Sequence, residues 1–160
     1  MVDEEQYRRT YQEVITAPCP FEKAILQRVC ACPRATKCNI AEREAVNCQS
    51  SEAQETCVAF LHHLRKRANF ALGLKRTPGA LPHAKAIKIQ CGGLLGLQNA
   101  LDPFAQESRV SDVYGLMNRA IKRFQELSNI PFDQIVREVN KYEGRRRPRR
   151  GRTVRGQQDE

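Results

Sequence analysis

Six of the seven cysteines lie between Cys19 and Cys57, a stretch of 39 residues, and this density constrains the fold more than any other feature. Its densest part reads CACPRATKC, which places three thiols in nine residues. Core packing does not require so many thiols, whereas disulfides, a metal site or a redox centre do. We therefore expect the fold to bring several of these sulfur atoms together.

The length of the chain argues against a disulfide scaffold. A chain of 160 residues buries a hydrophobic core without covalent cross-links, and disulfide-rich scaffolds are mostly smaller. The N-terminal segment MVDEEQYRRT lacks the apolar region of a signal peptide. No run approaches about 18 apolar residues, so we expect no membrane span. These features predict a cytoplasmic protein, and in that reducing compartment clustered thiols more often bind metal or act in redox chemistry.

The hydrophobic periodicity is helical along nearly the whole of residues 1–144. It predicts an all-α domain, a compact bundle of six or seven helices. Asn39 followed by Glu42 resembles a capping box and predicts a short helix from Ile40 to about Asn47. Further helix starts are predicted at Pro20, Ser51, His83, Ser111 and Pro131.

Three glycines interrupt the helix predicted to begin near His83, in the sequence KIQCGGLLGLQ. Each glycine costs about 1 kcal/mol relative to alanine in a helix, so a close approach of another group is expected there. Gly92 and Gly96 are one turn apart and would present a smooth face to a neighbouring helix. The segment lacks the G-K-[ST] ending of a phosphate-binding loop, so helix packing is the preferred interpretation.

The cysteines sit at places where helices begin or end in this prediction. Cys19, Cys38 and Cys48 shortly precede predicted helix starts, where backbone N–H groups favour a thiolate. Cys57 lies on the apolar face of the long helix that begins at Ser51. The predicted metal ligands are Cys30, Cys32, Cys38, Cys48 and Cys57, with Cys19 in reserve.

Ligation by cysteine alone, with irregular spacing and two Cys-Pro pairs, fits an iron–sulfur cluster, with [4Fe–4S] favoured. Zinc is the alternative, but the chain has no C-x2-C pair, which is frequent in structural zinc sites. The basic segment 65–88 would neutralise such a centre or dock an acidic redox partner protein. The sequence thus predicts electron transfer or redox and oxygen sensing.

The C-terminal segment 145–160 is a second basic feature, with seven arginines against two acidic residues and no apolar periodicity. We expect a disordered tail that binds nucleic acid phosphate without sequence preference, or an acidic protein face, anionic lipid or nothing. The arginines are Arg145, Arg146, Arg147, Arg149, Arg150, Arg152 and Arg155.

Two other functions stay open from the sequence. One is a zinc-stabilised or metal-free helical module that binds nucleic acid through the basic helix and the tail. The other is a metal-free thiol redox switch in which Cys30 or Cys32 pairs with Cys38. His62, His63 and His83 are expected at surface or partly buried positions. No Ser–His–Asp or paired-carboxylate pattern supports hydrolysis, so we expect a protein without enzymatic turnover.

Overall fold

The computed structural model describes residues 3–73, 81–105 and 107–144. The arginine-rich segment 145–160 lies outside these ranges, as do residues 74–80 of the predicted basic segment 65–88, so the roles predicted for them stay predictions. The described residues form six α-helices and one two-stranded antiparallel sheet. In chain order the elements are α1 (Glu4–Val14), α2 (Glu22–Leu26), β1 (Ala35–Ile40), β2 (Arg43–Cys48), α3 (Ser51–Ala71), α4 (His83–Leu101), α5 (Val113–Phe124), a 3-10 turn (Leu127–Asn129) and α6 (Phe132–Lys141).

The prediction of an all-α bundle is wrong, because β1 and β2 form a hairpin and the fold is mixed α/β. The predicted helix from Ile40 to Asn47 does not form. Asn39 is paired with Glu44 across the hairpin, and Ala41 turns the chain with a left-handed φ of 56°. Strand β2 buries Ala45 and Val46 on opposite faces, so it lacks the alternation that marks a half-buried strand.

The hairpin separates two hydrophobic clusters. Val46 belongs to the main core, whereas Ala45 packs with Ile15 and Ile40 in a smaller cluster beneath α1. The side chains of consecutive strand residues point to opposite faces of the hairpin. Ala45 and Val46 are therefore both fully buried, each in a different cluster. α1 therefore covers one side of the hairpin, and α2 and α3 pack against strand β2 on the other.

Helix α4 packs against α2, α3, α5 and α6. Its closest neighbour is α6: a Cβ added to Gly92 would lie 2.7 Å from the Val139 Cα, and one added to Gly96 would lie 3.1 Å from the Ile135 carbonyl oxygen. The predicted packing face is thus confirmed. The two glycines let the backbones of α4 and α6 approach more closely than any larger residue allows.

Aromatic rings connect α2, α3 and α6 through the main core. The Phe21 and Phe60 ring centroids are 6.1 Å apart, and those of Phe60 and Phe132 are 5.7 Å apart. Burial of each such side chain stabilises the fold by roughly 1.5–3 kcal/mol. No helix among the described residues is long and apolar enough to cross a membrane.

Candidate metal centre

The loop before α2 runs beside strand β2 and places Cys19 next to Cys48. The Cys19 N–H donates to the Val46 carbonyl (3.0 Å), and the Cys48 N–H donates to the Ala17 carbonyl (2.7 Å). Pro18 and Asn47 form a bridge between these two hydrogen bonds. Both cysteines are therefore held at the same end of the hairpin.

The turn that enters strand β1 brings Cys32 to the same end. The Ala35 N–H donates to the Cys32 carbonyl at 3.1 Å, and Ala35 is paired with Cys48 in the hairpin. Cys32 is partly buried and packs against the main core. The loop after α2 and the end of β2 thus present their thiols to a common region.

Helix α3 contributes the fourth thiol. Its N-cap Ser50 accepts a hydrogen bond from the Ala53 N–H (3.2 Å), and the Cys48 thiol donates to the Ser50 carbonyl (3.1 Å). The Gln54 side chain donates to the Pro18 carbonyl (3.0 Å), which fixes the first turn of α3 against the Cys19 loop. Cys57 follows on the buried face of the helix.

Burial and the neighbouring thiols both raise the pKa values of two of these cysteines. Burial and, to a smaller extent, the thiols of Cys19, Cys32 and Cys48 together raise the pKa of the Cys57 thiol to about 12. Burial likewise raises the pKa of Cys19 to about 12, with Cys48 and Cys32 again contributing. A metal ion must displace the protons of such thiols, since the thiolate is the ligand. Its positive charge would then relieve the repulsion between the thiolates.

We call Cys19, Cys32, Cys48 and Cys57 the thiol quartet. Three of its members are predicted ligands and one is the predicted reserve. All seven cysteines of the chain are free thiols. Within the residues that the structure describes, no group of three or more His, Cys, Asp or Glu side chains is arranged to hold a metal ion. The quartet is thus a convergence of thiols upon one region, without metal-ligand geometry.

The predicted ligand Cys38 is not brought to the quartet. It is paired with Ala45 on the hairpin face that carries Ile40, and it packs against the small cluster beneath α1. Cys48 belongs to the opposite face, together with Val46. The helix start that was expected to place Cys38 beside the other sulfurs does not exist.

The predicted ligand Cys30 faces a different neighbour. Its side chain is only 2% exposed and that of Cys91, on α4, is fully buried. Burial raises the pKa of the Cys30 thiol, and Cys91 and Cys19 raise it further, whereas Arg109 lowers it. Burial also raises the pKa of Cys91, and this is partly offset by a hydrogen bond with Tyr142. The pKa of Cys30 is thus influenced both by Cys19 of the quartet and by Cys91 on α4.

The histidines have other contacts. His83 lies with its Nδ1 2.9 Å from the Lys23 Nζ, and His63 stacks on Phe132 with ring centroids 5.7 Å apart. His62 is exposed and lines a surface cavity of about 390 Å³ with Cys19 and Arg65. Arg65, the first residue of the predicted basic segment 65–88, thus lies on a cavity that Cys19 also lines.

A second cavity, of about 280 Å³, opens beside Cys30 and Cys32 and is also lined by Arg28, Lys37 and Arg109. The sequence gives little sign of these three cations, because they are distant from one another in the chain and nearby acidic residues balance their charge. For Cys19 a signal was present, since it is followed by proline in the same way as Cys32.

Comparisons with known proteins give no family for this chain. No family model, no curated protein and no solved structure matches it. The function has to be argued from the chemistry of the site, which is where function resides in any fold.

Proposed function

We propose that this chain is an iron–sulfur protein whose cluster is bound by the thiol quartet and which acts in one-electron transfer or redox sensing. The observation that carries the proposal is the convergence of four thiols from four separate parts of the chain. They come from the loops on either side of α2, the end of β2 and the buried face of α3. Free cysteine can pack as a small hydrophobe, as Cys57 does in the main core, but core packing does not require four thiols in one region.

The donor set supports a cluster. Four cysteine thiolates bind [2Fe–2S] or [4Fe–4S] centres, and both cysteines that precede a proline belong to the quartet. Zinc also accepts four thiolates, so the same residues would hold zinc if the cluster were absent. The spacing of the quartet contains no C-x2-C pair, which favours the cluster.

Electron transfer fits this ligand set better than catalysis. Catalytic metal sites leave a coordination position open to water or substrate, whereas four cysteines complete the ligands of a cluster. The Cys57 side chain is 7% exposed, so one side of the centre would be shielded from water. Burial and hydrogen bonds to sulfur are among the factors that set the reduction potential of such a centre.

The test is anaerobic purification of the full chain followed by iron, acid-labile sulfide and zinc analysis and visible absorption spectroscopy. We expect a brown protein with equal amounts of iron and sulfide. Single Cys→Ser variants at the four quartet positions should each lose most of the iron. The matched control is Cys38→Ser, a partly buried cysteine in the same segment that should retain the cluster.

Two results would contradict the proposal. One is a colourless protein that contains zinc and no sulfide, which would support the zinc alternative. The other is a Cys38→Ser variant that loses iron as completely as Cys19→Ser does. The predicted nucleic-acid role of residues 145–160 is a separate prediction, which deletion of that segment and binding measurements at low salt would test.

A further inference from the structure

A cavity of about 1220 Å³ is lined by residues of α1, α2, the hairpin turn and α4. We call this cavity the polar cleft. Small-molecule sites are typically concave and hold a few polar groups that converge on the ligand. The polar groups on the wall of the cleft include Tyr11, Glu22, Lys23, Glu42, Glu44 and Gln90.

Gln90, on α4, is a buried polar residue of the cleft wall. The residue is only 3% exposed, and its Oε1 accepts a hydrogen bond from the Ala24 N–H at 3.2 Å. This bond fixes the orientation of the amide. The Nε2 of the same amide forms no hydrogen bond with residues 3–73, 81–105 or 107–144. Buried side-chain donors are paired in most proteins, so this donor calls for an acceptor atom within the cleft.

Glu22 places a partly buried carboxylate in the same cleft. The Tyr11 hydroxyl donates to its Oε2 at 2.7 Å, and no cation of the described residues forms an ion pair with it. Burial raises the pKa of the Glu22 carboxyl, whereas the hydrogen bond from Tyr11 and the charge of Lys23 lower it. A charge withdrawn from water is stabilised by an opposite charge beside it. The carboxylate therefore favours a ligand with an ammonium group.

Lys23 supplies a cation next to this carboxylate. Because Glu22 and Lys23 are consecutive, their Cα atoms are about 3.8 Å apart. The Lys23 Nζ lies 2.9 Å from the Nδ1 of His83, and within the described part of the chain it forms no ion pair with a carboxylate. The Gln90 amide lies against the backbone of the next residue, Ala24. An ammonium group and an amide donor thus lie close to the Glu22 carboxylate.

The hairpin turn adds further negative charge to the cleft. Glu42 and Glu44 are exposed on its wall, and neither is paired with a cation of residues 3–73, 81–105 or 107–144. Arg43, between them, also lines the cleft, but it forms an ion pair with Glu4 at 2.7 Å. The charge of Arg43 is therefore already balanced, whereas the charges of the two glutamates favour a second cationic group on the ligand.

We propose that the polar cleft binds a free α-amino acid with a cationic side chain, of the lysine or arginine class. The α-ammonium group binds Glu22, and the carboxylate binds Lys23 and the Nε2 of Gln90. The side-chain cation binds Glu42 and Glu44. A ligand with two positive charges and one negative charge thereby complements three carboxylates and one ammonium group. This inference needs no metal and does not rest on the proposed function.

The experiment is isothermal titration calorimetry of the full chain, as purified, with L-lysine and L-arginine at low ionic strength. Analogues of each amino acid lack one charged group. Cadaverine and agmatine lack the carboxylate, the Nα-acetyl derivatives lack the α-ammonium group, and L-norleucine and L-citrulline lack the side-chain cation. We expect L-lysine or L-arginine to bind. Its analogues should bind roughly tenfold or more weakly, because each leaves a charged group of the cleft without its partner.

Two variants test the charged groups separately. Glu22→Gln retains an acceptor for the Tyr11 hydroxyl but removes the negative charge, and Lys23→Met removes the ammonium group. Each should bind the amino acid roughly tenfold or more weakly than the wild type. Glu22→Gln should not weaken binding of the Nα-acetyl derivative, and Lys23→Met should not weaken binding of the decarboxylated amine. The matched controls, Glu52→Gln and Lys66→Met, are exposed on α3 away from the cleft wall and should bind like the wild type.

A third variant tests the buried donor. Gln90→Glu retains the oxygen that accepts the Ala24 N–H and replaces the Nε2 by a second acceptor. It should weaken binding of the amino acid and not of the decarboxylated amine, and it serves if a variant of α2 fails to fold.

Three results would overturn the inference. The first is no measurable binding of L-lysine or L-arginine at millimolar concentration. The second is equal affinity for the amino acid and its decarboxylated amine, which would indicate a polyamine site. The third is that Glu22→Gln and Lys23→Met bind as tightly as their matched controls. Each of these results leaves the proposed iron–sulfur function untouched, because the binding is measured without regard to the iron and sulfide content.

Discussion

Cys38 and Cys48 belong to opposite faces of the β1–β2 hairpin. Cys48 is paired with Ala35, and Cys38 is three residues further along β1, so the alternation of the strand reverses its side. One face adjoins the main core and the thiol quartet, and the other adjoins the small cluster beneath α1. The hairpin thus assigns the two cysteines to different environments, and it makes Cys38 the natural control for every test of the quartet.

The approach of α4 to α6 predicts a large effect of Gly92→Ala. The added Cβ would lie 2.7 Å from the Val139 Cα, and backbone atoms cannot move aside as a flexible side chain can. We expect a loss of about 1–3 kcal/mol in the free energy of unfolding, the usual cost of overpacking. Urea denaturation measures it. Gly144→Ala is the control, because nothing lies within 4 Å of its added Cβ; an equal loss there would contradict the packing explanation.

The N-terminal cap of α3 predicts that two adjacent serines contribute differently to the free energy of unfolding. Ser50 accepts the Ala53 N–H, whereas Ser51 is the first residue of the helix and is exposed. Ser50→Ala should lower the free energy of unfolding by about 1 kcal/mol, because a helix N–H loses its acceptor. Ser51→Ala should change it by less than about half of that. Thermal or urea unfolding of both variants would refute the assignment if their stabilities were equal.

The ion pair between α1 and the hairpin predicts a pH dependence. The Arg43 guanidinium lies 2.7 Å from the Glu4 carboxylate, and this hydrogen bond holds the pKa of Glu4 below its ordinary value of 4.5. A carboxyl group whose pKa is lowered in the folded state stabilises the fold at pH values above its ordinary pKa. This contribution is lost as the pH falls through the lowered pKa. The contribution is small and salt-sensitive because both groups are exposed.

Arg43→Leu should therefore return the pKa of Glu4 toward its ordinary value, and NMR titration of the carboxyl group measures it. Arg9→Leu removes a cation from the same region of α1 without removing this hydrogen bond. It should leave the Glu4 titration nearly unchanged. A Glu4 pKa that is identical in the wild type and in Arg43→Leu would contradict the assigned cause.

The long helices could be predicted from the sequence because each has a single buried stripe and recognisable ends. The predicted helix starts at Ser51 and His83 are the first residues of α3 and α4. α6 begins directly after Pro131, the predicted start of the last helix, and it buries Phe132, Ile135, Val136 and Val139. Periodicity is strongest where a helix has one apolar face, so these elements were the most accessible to prediction.

The hairpin could not be predicted in the same way. In β2 the neighbours Ala45 and Val46 are both buried in different clusters, so buried and exposed residues do not alternate there, and Asn39 with Glu42 imitates a helix cap. The missed strand also makes the predicted position of Cys38 wrong, because the strand determines on which face of the hairpin Cys38 lies. The sequence predicts Cys19 only as a reserve metal ligand, because its proximity to Cys48 depends on backbone pairing between distant segments.

The central claim is tested most directly by mapping which cysteines are protected from alkylation in the anaerobically purified protein, before and after a chelator removes the metal. Mass spectrometry of the digested chain reports each thiol separately. The account predicts that Cys32 and Cys48, the quartet members that are partly exposed, become reactive only after metal removal, whereas Cys38 reacts in both samples. Protection of Cys38 by the metal, or the same modification of Cys32 and Cys48 in both samples, would contradict it.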